Sequence, residues 1–160
     1  MTKGIVSGVV SNMVTLRVDG PVLQGEICYI TTGGDRLMAE VIKVVGSDVY
    51  VQVFESTRGL KVGSEAEFTG HQLEIQLGPG MLSKNYDGLQ NDLDKMDGVF
   101  LRRGQYTAPL DEDRLWDFEP IVKAGDKVEG SAWLGKVEEN HQPLKIMAPF
   151  QMEGVAVVKS

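Results

Sequence analysis

The sequence is poor in the residues that would announce metal, redox or nucleic-acid chemistry. Its 160 residues include one cysteine and two histidines. Cys28 cannot close an internal disulfide, and it stands in the apolar run Ile27-Cys28-Tyr29-Ile30, where a small buried hydrophobe fits. His71 and His141 are far apart and have no second Cys or His at ligand spacing, so no metal-binding residue is expected. Basic residues are outnumbered, 16 Lys and Arg against 23 Asp and Glu, and the net charge of −7 opposes binding to nucleic-acid phosphates or anionic lipid. No run approaches the roughly 18 apolar residues of a spanning helix, and Met1-Thr2-Lys3-Gly4 lacks the apolar core of a signal peptide. The expectation is a cytoplasmic chain with neither a nucleic-acid partner nor direct membrane insertion.

What is present is an ordinary globular composition, 42% hydrophobic and 24% charged, which excludes long low-complexity tracts. Up to Leu77 apolar residues alternate: Val14, Leu16 and Val18; Val49, Val51 and Val53; Leu73, Ile75 and Leu77. Period two predicts half-buried strands. Between them stand turn signals such as Asp19-Gly20-Pro21, Thr32-Gly33-Gly34-Asp35, Gly46-Ser47-Asp48 and Val62-Gly63-Ser64. Many short strands without a long helix predict a small β-barrel over 1–77.

Gly78-Pro79-Gly80 then interrupts the pattern, since proline donates no ladder hydrogen bond and glycine permits a change of direction. Leu82, Tyr86, Leu89, Leu93 and Met96 recur at steps of three and four, which predicts a short helical linker within 78–98, weakened at Gly88. Over 99–160 β signals return: Trp116 to Val122, a turn at Lys123-Ala124-Gly125-Asp126, Trp133 to Val137, a polar loop from Glu138 to Gln142, then Leu144 to Ala148 and Gly154 to Val158. The fold class expected is mainly β, with a second, partial β domain of barrel-sandwich type.

None of the chemistry-bearing motifs survives inspection. Gly125-x-x-x-x-Gly130 carries Ser131 where a phosphate loop needs lysine. Asp111, Glu112 and Asp113 are adjacent, as are Glu138 and Glu139, whereas acid–base work needs carboxylates converging across a cleft; both groups read as solvated acidic loops. Gly-x-Ser-x-Gly does not occur. Trp116 and Trp133 are expected in the core, and exposed strand alternates such as Arg17, Lys43 and Gln52 are candidates for contacts with a neighbouring barrel. No catalytic, cofactor-binding or metal-ligating residue is assigned.

Leu77-Gly78-Pro79-Gly80-Met81-Leu82, followed by Tyr86-Asp87-Gly88-Leu89-Gln90, closely resembles the barrel-to-core connection of catalytic A subunits of V-type and A-type rotary ATPases. Gly8, Gly20-Pro21 and Ser56-Thr57-Arg58-Gly59-Leu60-Lys61-Val62-Gly63 resemble the barrel of that family. Arg103-Gly104, Leu110-Asp111, Trp116, Pro120, Val122-Lys123-x-Gly125-Asp126, Leu134-Gly135-x-Val137 and Ile146-x-x-Pro149 resemble the start of its bulge, or non-homologous region. Asn91-Asp92 departs from the Arg-Pro usual there. The resemblance implies an N-terminal assembly segment, ending within the bulge, of a subunit that couples ATP hydrolysis or synthesis to proton or sodium transport. It implies ATP and Mg in the parent and none in this chain. Partners would be A and B subunits in an alternating hexamer, with stator subunits at the bulge, peripheral to a membrane.

The sequence is open to two other readings. Val122-Lys123-x-Gly125-Asp126-x-Val128 and Ile146-Met147-Ala148-Pro149 followed by Gly154-Val155 resemble biotin and lipoyl carrier domains, with Lys145 as the attachment site. A free-standing β-barrel interaction module is the third.

Overall fold

The computed structural model describes residues 2–96 and 103–159. Six strands, β1 (Lys3–Val10), β2 (Met13–Val18), β3 (Glu26–Thr32), β4 (Asp35–Val45), β5 (Asp48–Val53) and β6 (Glu65–Gln72), form a closed antiparallel barrel in the order β1-β2-β5-β4-β3-β6. The alternation seen in the sequence is what closes it. Val14, Leu16 and Val18 on β2 and Val49, Val51 and Val53 on β5 all point inward, where they meet Val6, Cys28, Ile30, Leu37, Ala66 and Phe68. Closure pairs β6 with β1 and so leaves no strand edge unsatisfied.

The turn chemistry sets the register. β3 returns into β4 through Gly33-Gly34 alone, with φ of 58° and 95°. Positive φ at both central residues is the two-residue turn whose twist matches a hairpin, and glycine adopts it without strain. Gly46-Ser47 joins β4 to β5 in two residues as well, with positive φ, 60°, at Gly46 only. Glu26, buried in β3, does not lack partners: its carboxylate accepts from the amides of Leu23 at 3.0 Å and Gly70 at 2.7 Å.

Two expectations fail here. The alternation of Leu73, Ile75 and Leu77 does not extend the sheet: β6 ends at Gln72, and Leu77 is 72% exposed. In a closed barrel both neighbours of β6 are already taken, so a further strand has no ladder to join. The helical linker is also absent: residues 81–96 form turns and one 3-10 turn, Leu93–Lys95, while 97 and 98 lie outside the described residues. Side-chain hydrogen bonds outcompete the helix, since Asp87 Oδ1 accepts from the amides of Leu89 at 2.9 Å and Asn91 at 2.8 Å. The domain boundary expected at 99 also lies outside the described residues.

The chain divides into two compact units, Met1–Ile75 with Asp97–Tyr106, and Gln76–Met96 with Thr107–Ser160. In the second, β7 (Phe118–Pro120), β9 (Trp133–Glu139) and β10 (Gln142–Met147) form a sheet in the order β10-β9-β7, and β8 (Lys127–Val128) pairs with β11 (Ala156–Val157). The strand expected from Gly154 to Val158 thus shrinks to two residues. Glu138 to Gln142 is a tight hairpin rather than a loop, turned by Asn140 and His141 at φ 49° and 63°. Gly135 is indispensable to the sheet: a Cβ there would stand 2.3 Å from Phe118 Cζ and 2.5 Å from the Glu119 carbonyl oxygen.

Candidate assembly surface

β2, β5 and β4 are consecutive neighbours, so their outward residues form one face. The register sets them in rows: Arg17 beside Asp48, Thr15 beside Tyr50 beside Lys43, and Met13 beside Gln52 beside Glu40. The three exposed alternates singled out in the sequence, Arg17, Lys43 and Gln52, therefore share this face. Arg17 is held within the chain by Asp48, Nη2 to Oδ1 3.1 Å, and such an exposed pair contributes about 0–1 kcal/mol. A bulge at Ile42 shifts the register of β4, and Ile42, Val44 and Val45 beyond it are exposed apolar side chains. Bulges of this kind re-aim a strand near the rim of a barrel. Beside the face lies an open groove of about 420 Å³ lined by Ile5 and Val18 with Lys3, Arg17 and Glu65. Polar rows flanked by apolar residues and a shallow groove suit protein contact.

The Gly-Pro-Gly segment and its downstream loop are built by side chains. Gln90 pairs with the backbone of Gln76 in both directions, each bond 2.7 Å. Gly78 packs within 3.0 Å, measured from the Cβ it lacks, of Leu110. Asn91 donates to Asp87 Oδ2 at 2.8 Å and accepts from the Thr107 amide at 3.0 Å. Asp92 is 1% exposed, and its Oδ2 lies 3.3 Å from Lys84 Nζ and 3.6 Å from Lys95 Nζ. Burial opposes its charge, but the two lysines and the Asp94 amide outweigh that and hold its carboxyl below the usual range. The two residues that depart from the family pattern are thus buried hubs of the loop.

The remaining sequence candidates fall apart from one another. Cys28 is buried in the barrel, and burial pushes its thiol up to about 12. His71 and His141 are both exposed and belong to different units. Among the described residues no three His, Cys, Asp or Glu side chains gather as a metal site. Gly125 and Gly130 frame turns, and the space at Gly130 faces the carbonyl oxygens of Pro149, Phe150 and Met152 at 3.1–3.3 Å from an added Cβ. A ring of acceptors repels phosphate, whereas a cradle needs amides. Asp111, Glu112 and Asp113 are exposed as expected. Glu139 is not: it is buried, and its Oε1 accepts from the Leu82 amide at 3.0 Å.

The tryptophans also depart from expectation. Trp116 is half-buried under Arg114, whose guanidinium lies 4.0 Å from the ring centroid. Trp133 is 43% exposed at the start of β9. Lys145 is fixed in mid-strand opposite Lys136, with its ammonium 5.1 Å from the Trp133 ring centroid. An attachment lysine needs a hairpin tip, and this hairpin's tip is Asn140-His141.

One polar hub was invisible in the sequence. Glu55 Oε1 accepts from the Gly104 amide at 3.0 Å and the Tyr106 hydroxyl at 2.9 Å, and Oε2 from the Met38 amide at 3.2 Å. A separation of 51 residues between Glu55 and Tyr106 leaves no local pattern from which to read it.

Comparison with known proteins matches both units. Residues 6–70 match the beta-barrel domain of the ATP synthase alpha/beta family, and residues 107–160 the ATP synthase alpha/beta subunit barrel-sandwich domain. The V-type ATP synthase alpha chain of Borreliella afzelii (strain PKo) is 47% identical over 152 residues, 93% of this chain and 26% of the relative. That of Borrelia duttonii (strain Ly) is 47% identical over 154 residues, 92% of this chain and 26% of the relative. The chain therefore spans about a quarter of the length of the relatives it matches.

Proposed function

We propose that this chain, which matches the barrel and barrel-sandwich domains of the ATP synthase alpha/beta family and is 47% identical to a V-type ATP synthase alpha chain over 26% of that relative, is the non-catalytic assembly segment of a rotary ATPase catalytic subunit. The observation that carries this reading is the closed barrel with its β2-β5-β4 face, whose polar rows beside exposed apolar side chains suit contact with a neighbouring barrel. In this role the barrel joins those of neighbouring A and B subunits in an alternating hexamer. The second unit is the start of the bulge and meets stator subunits. ATP and Mg bind further along the parent chain, which couples hydrolysis or synthesis to proton or sodium transport at the membrane periphery.

The chain's own residues support the division of labour. At Gly130 the neighbours are the carbonyl oxygens of Pro149, Phe150 and Met152 where a nucleotide's phosphates would need amides, so the Gly125 to Gly130 turn is assigned no step of ATP chemistry. Calorimetric titration with Mg-ATP tests it: the 160-residue chain takes up none, and the source polypeptide extended to a Gly-x-x-x-x-Gly-Lys-Thr segment does. Saturable binding by the shorter chain overturns the reading.

A further inference from the structure

We propose that the open groove between residues 114–119 and the tip of the β9–β10 hairpin docks a basic amphipathic segment of a partner protein, one that sets an arginine or lysine beside an aliphatic side chain. The groove lies wholly within the second unit, has a volume of about 650 Å³ and is lined by Arg114, Leu115, Trp116, Asp117, Glu138 and His141. Its walls are fixed. The Asp111 carboxylate accepts from the Asp113 amide at 3.2 Å and the Asp111 carbonyl from the Arg114 amide at 3.4 Å, which closes a turn ahead of Leu115. On the other side Asn140 Nδ2 donates to Ser83 Oγ at 3.1 Å and steadies the hairpin tip. Trp116 is seated against Gly80, 3.6 Å from where a Cβ would stand.

Two independent features select the occupant. The first is apolar: Leu115 is 94% exposed beside the half-buried Trp116, so a fixed turn holds out a leucine that adds almost nothing to its own unit's packing. The second is charge. Arg114 shows what the groove accepts, because its guanidinium lies 4.0 Å from the Trp116 ring centroid with carboxylates on either side in the sequence. Among the described residues Asp111, Glu112, Asp113 and Asp117 form no ion pair, while Glu119 meets Lys136 at 2.8 Å and Glu138 faces His141 at 3.4 Å. Uncompensated carboxylates attract a basic partner and repel an acidic one. An aliphatic side chain on Leu115 with a cation between Asp117 and Glu138 satisfies both features. This names the chemistry of the stator contact proposed for the second unit, and rests on that reading in taking a protein as the partner.

The test titrates the ¹⁵N-labelled 160-residue chain with a short amphipathic peptide of leucine and lysine, and with its leucine and glutamate counterpart, by nuclear magnetic resonance. Saturable shifts are expected at 111–119 and 138–141 from the lysine peptide alone. Leu115→Ala is expected to weaken binding roughly tenfold or more, the scale of one leucine withdrawn from water. Asp117→Asn with Glu138→Gln weakens it about two- to fivefold for each pair lost. Asp19→Asn with Glu65→Gln removes the same charge from the barrel and leaves the affinity unchanged. Absence of saturable shifts in the groove, or equal binding of the glutamate peptide, overturns the proposal. So does an equal loss in the barrel variant, since net charge alone then explains the binding. Shifts at these residues that follow the chain's own concentration without peptide assign the groove to a second copy and overturn it as well. Copurification of stator subunits with the full-length source polypeptide and its Leu115→Ala variant separates the groove from the broader reading. Stator subunits retained equally by both overturn the groove alone, and stator subunits retained by neither overturn the stator contact with it.

Discussion

Gly135→Ala is a single methyl group placed where the second unit has no room. Its Cβ would lie 2.3 and 2.5 Å from two ring carbons of Phe118 and 2.5 Å from the backbone oxygen of Glu119. Ordinary carbon contacts are about 3.5–4.0 Å, so the ring must swing aside and the Glu119 carbonyl must retreat by roughly an ångström. The ring can move, because Phe118 is largely exposed. The carbonyl cannot move without dragging β7 off β9, to which it is held through Phe118, Glu119 and Pro120 and by the Ile121 amide on the Leu134 carbonyl at 3.0 Å. Overpacking costs about 1–3 kcal/mol and each ladder bond lost about 1 kcal/mol, which puts the penalty near 2–4 kcal/mol. Both tryptophans lie in this unit, so their fluorescence in a urea titration reports its unfolding, and barrel methyl resonances report the other unit. The fluorescence midpoint is expected to fall while the barrel midpoint holds. An unchanged fluorescence midpoint, or an equal fall of both, refutes the packing argument.

Phe68→Ala removes a fully buried barrel ring and should cost about 3–5 kcal/mol, read from the barrel methyl resonances in the same titration. Asp87 and Asp92 are both held below the usual carboxylate range, burial opposing the charge in each case, with the Asn91 and Leu89 hydrogen bonds offsetting it for Asp87. Their folded values lie below their unfolded ones, so the stabilisation is complete above the ordinary range near pH 4 and is lost as pH falls through the folded values. Urea midpoints of the second unit should drop over that window, and Asp92→Asn should flatten the drop. Cys28, with its thiol pushed up to about 12 inside the barrel, should resist a maleimide at pH 8 and react at the rate of barrel opening. His141→Gly should stabilise the β9–β10 hairpin by about 0.5–1 kcal/mol in the fluorescence titration, because the positive φ of 63° at His141 costs a side-chain-bearing residue about 1–2 kcal/mol and the freer unfolded chain of glycine takes back part of the gain.

Most of the barrel was legible because its strands obey period two and its hairpins are marked by Gly33-Gly34 and Gly46-Ser47, both local signals. Val14, Leu16 and Val18 read as inward and are inward. The same rule misled at Leu73, Ile75 and Leu77, because closure of a barrel is decided by strand count and not by the pattern of the next segment. Helical spacing from Leu82 to Met96 was outweighed by Asp87 and Asn91, whose side chains satisfy the backbone in a compact loop. Trp133 was expected inside because large aromatic rings usually are, but a small three-stranded sheet leaves it partly uncovered. Glu139 read as a loop residue until the two-residue turn drew β9 to its full length and turned its side chain inward. The Glu55 hub joins positions too distant for any periodicity to link.

The most direct test of the assembly role is native mass spectrometry of the full-length source polypeptide coexpressed with its B subunit, with and without residues 1–75. The account predicts a hexamer from the intact polypeptide and loss of that species when the barrel strands are removed. A hexamer of equal abundance without them would contradict it.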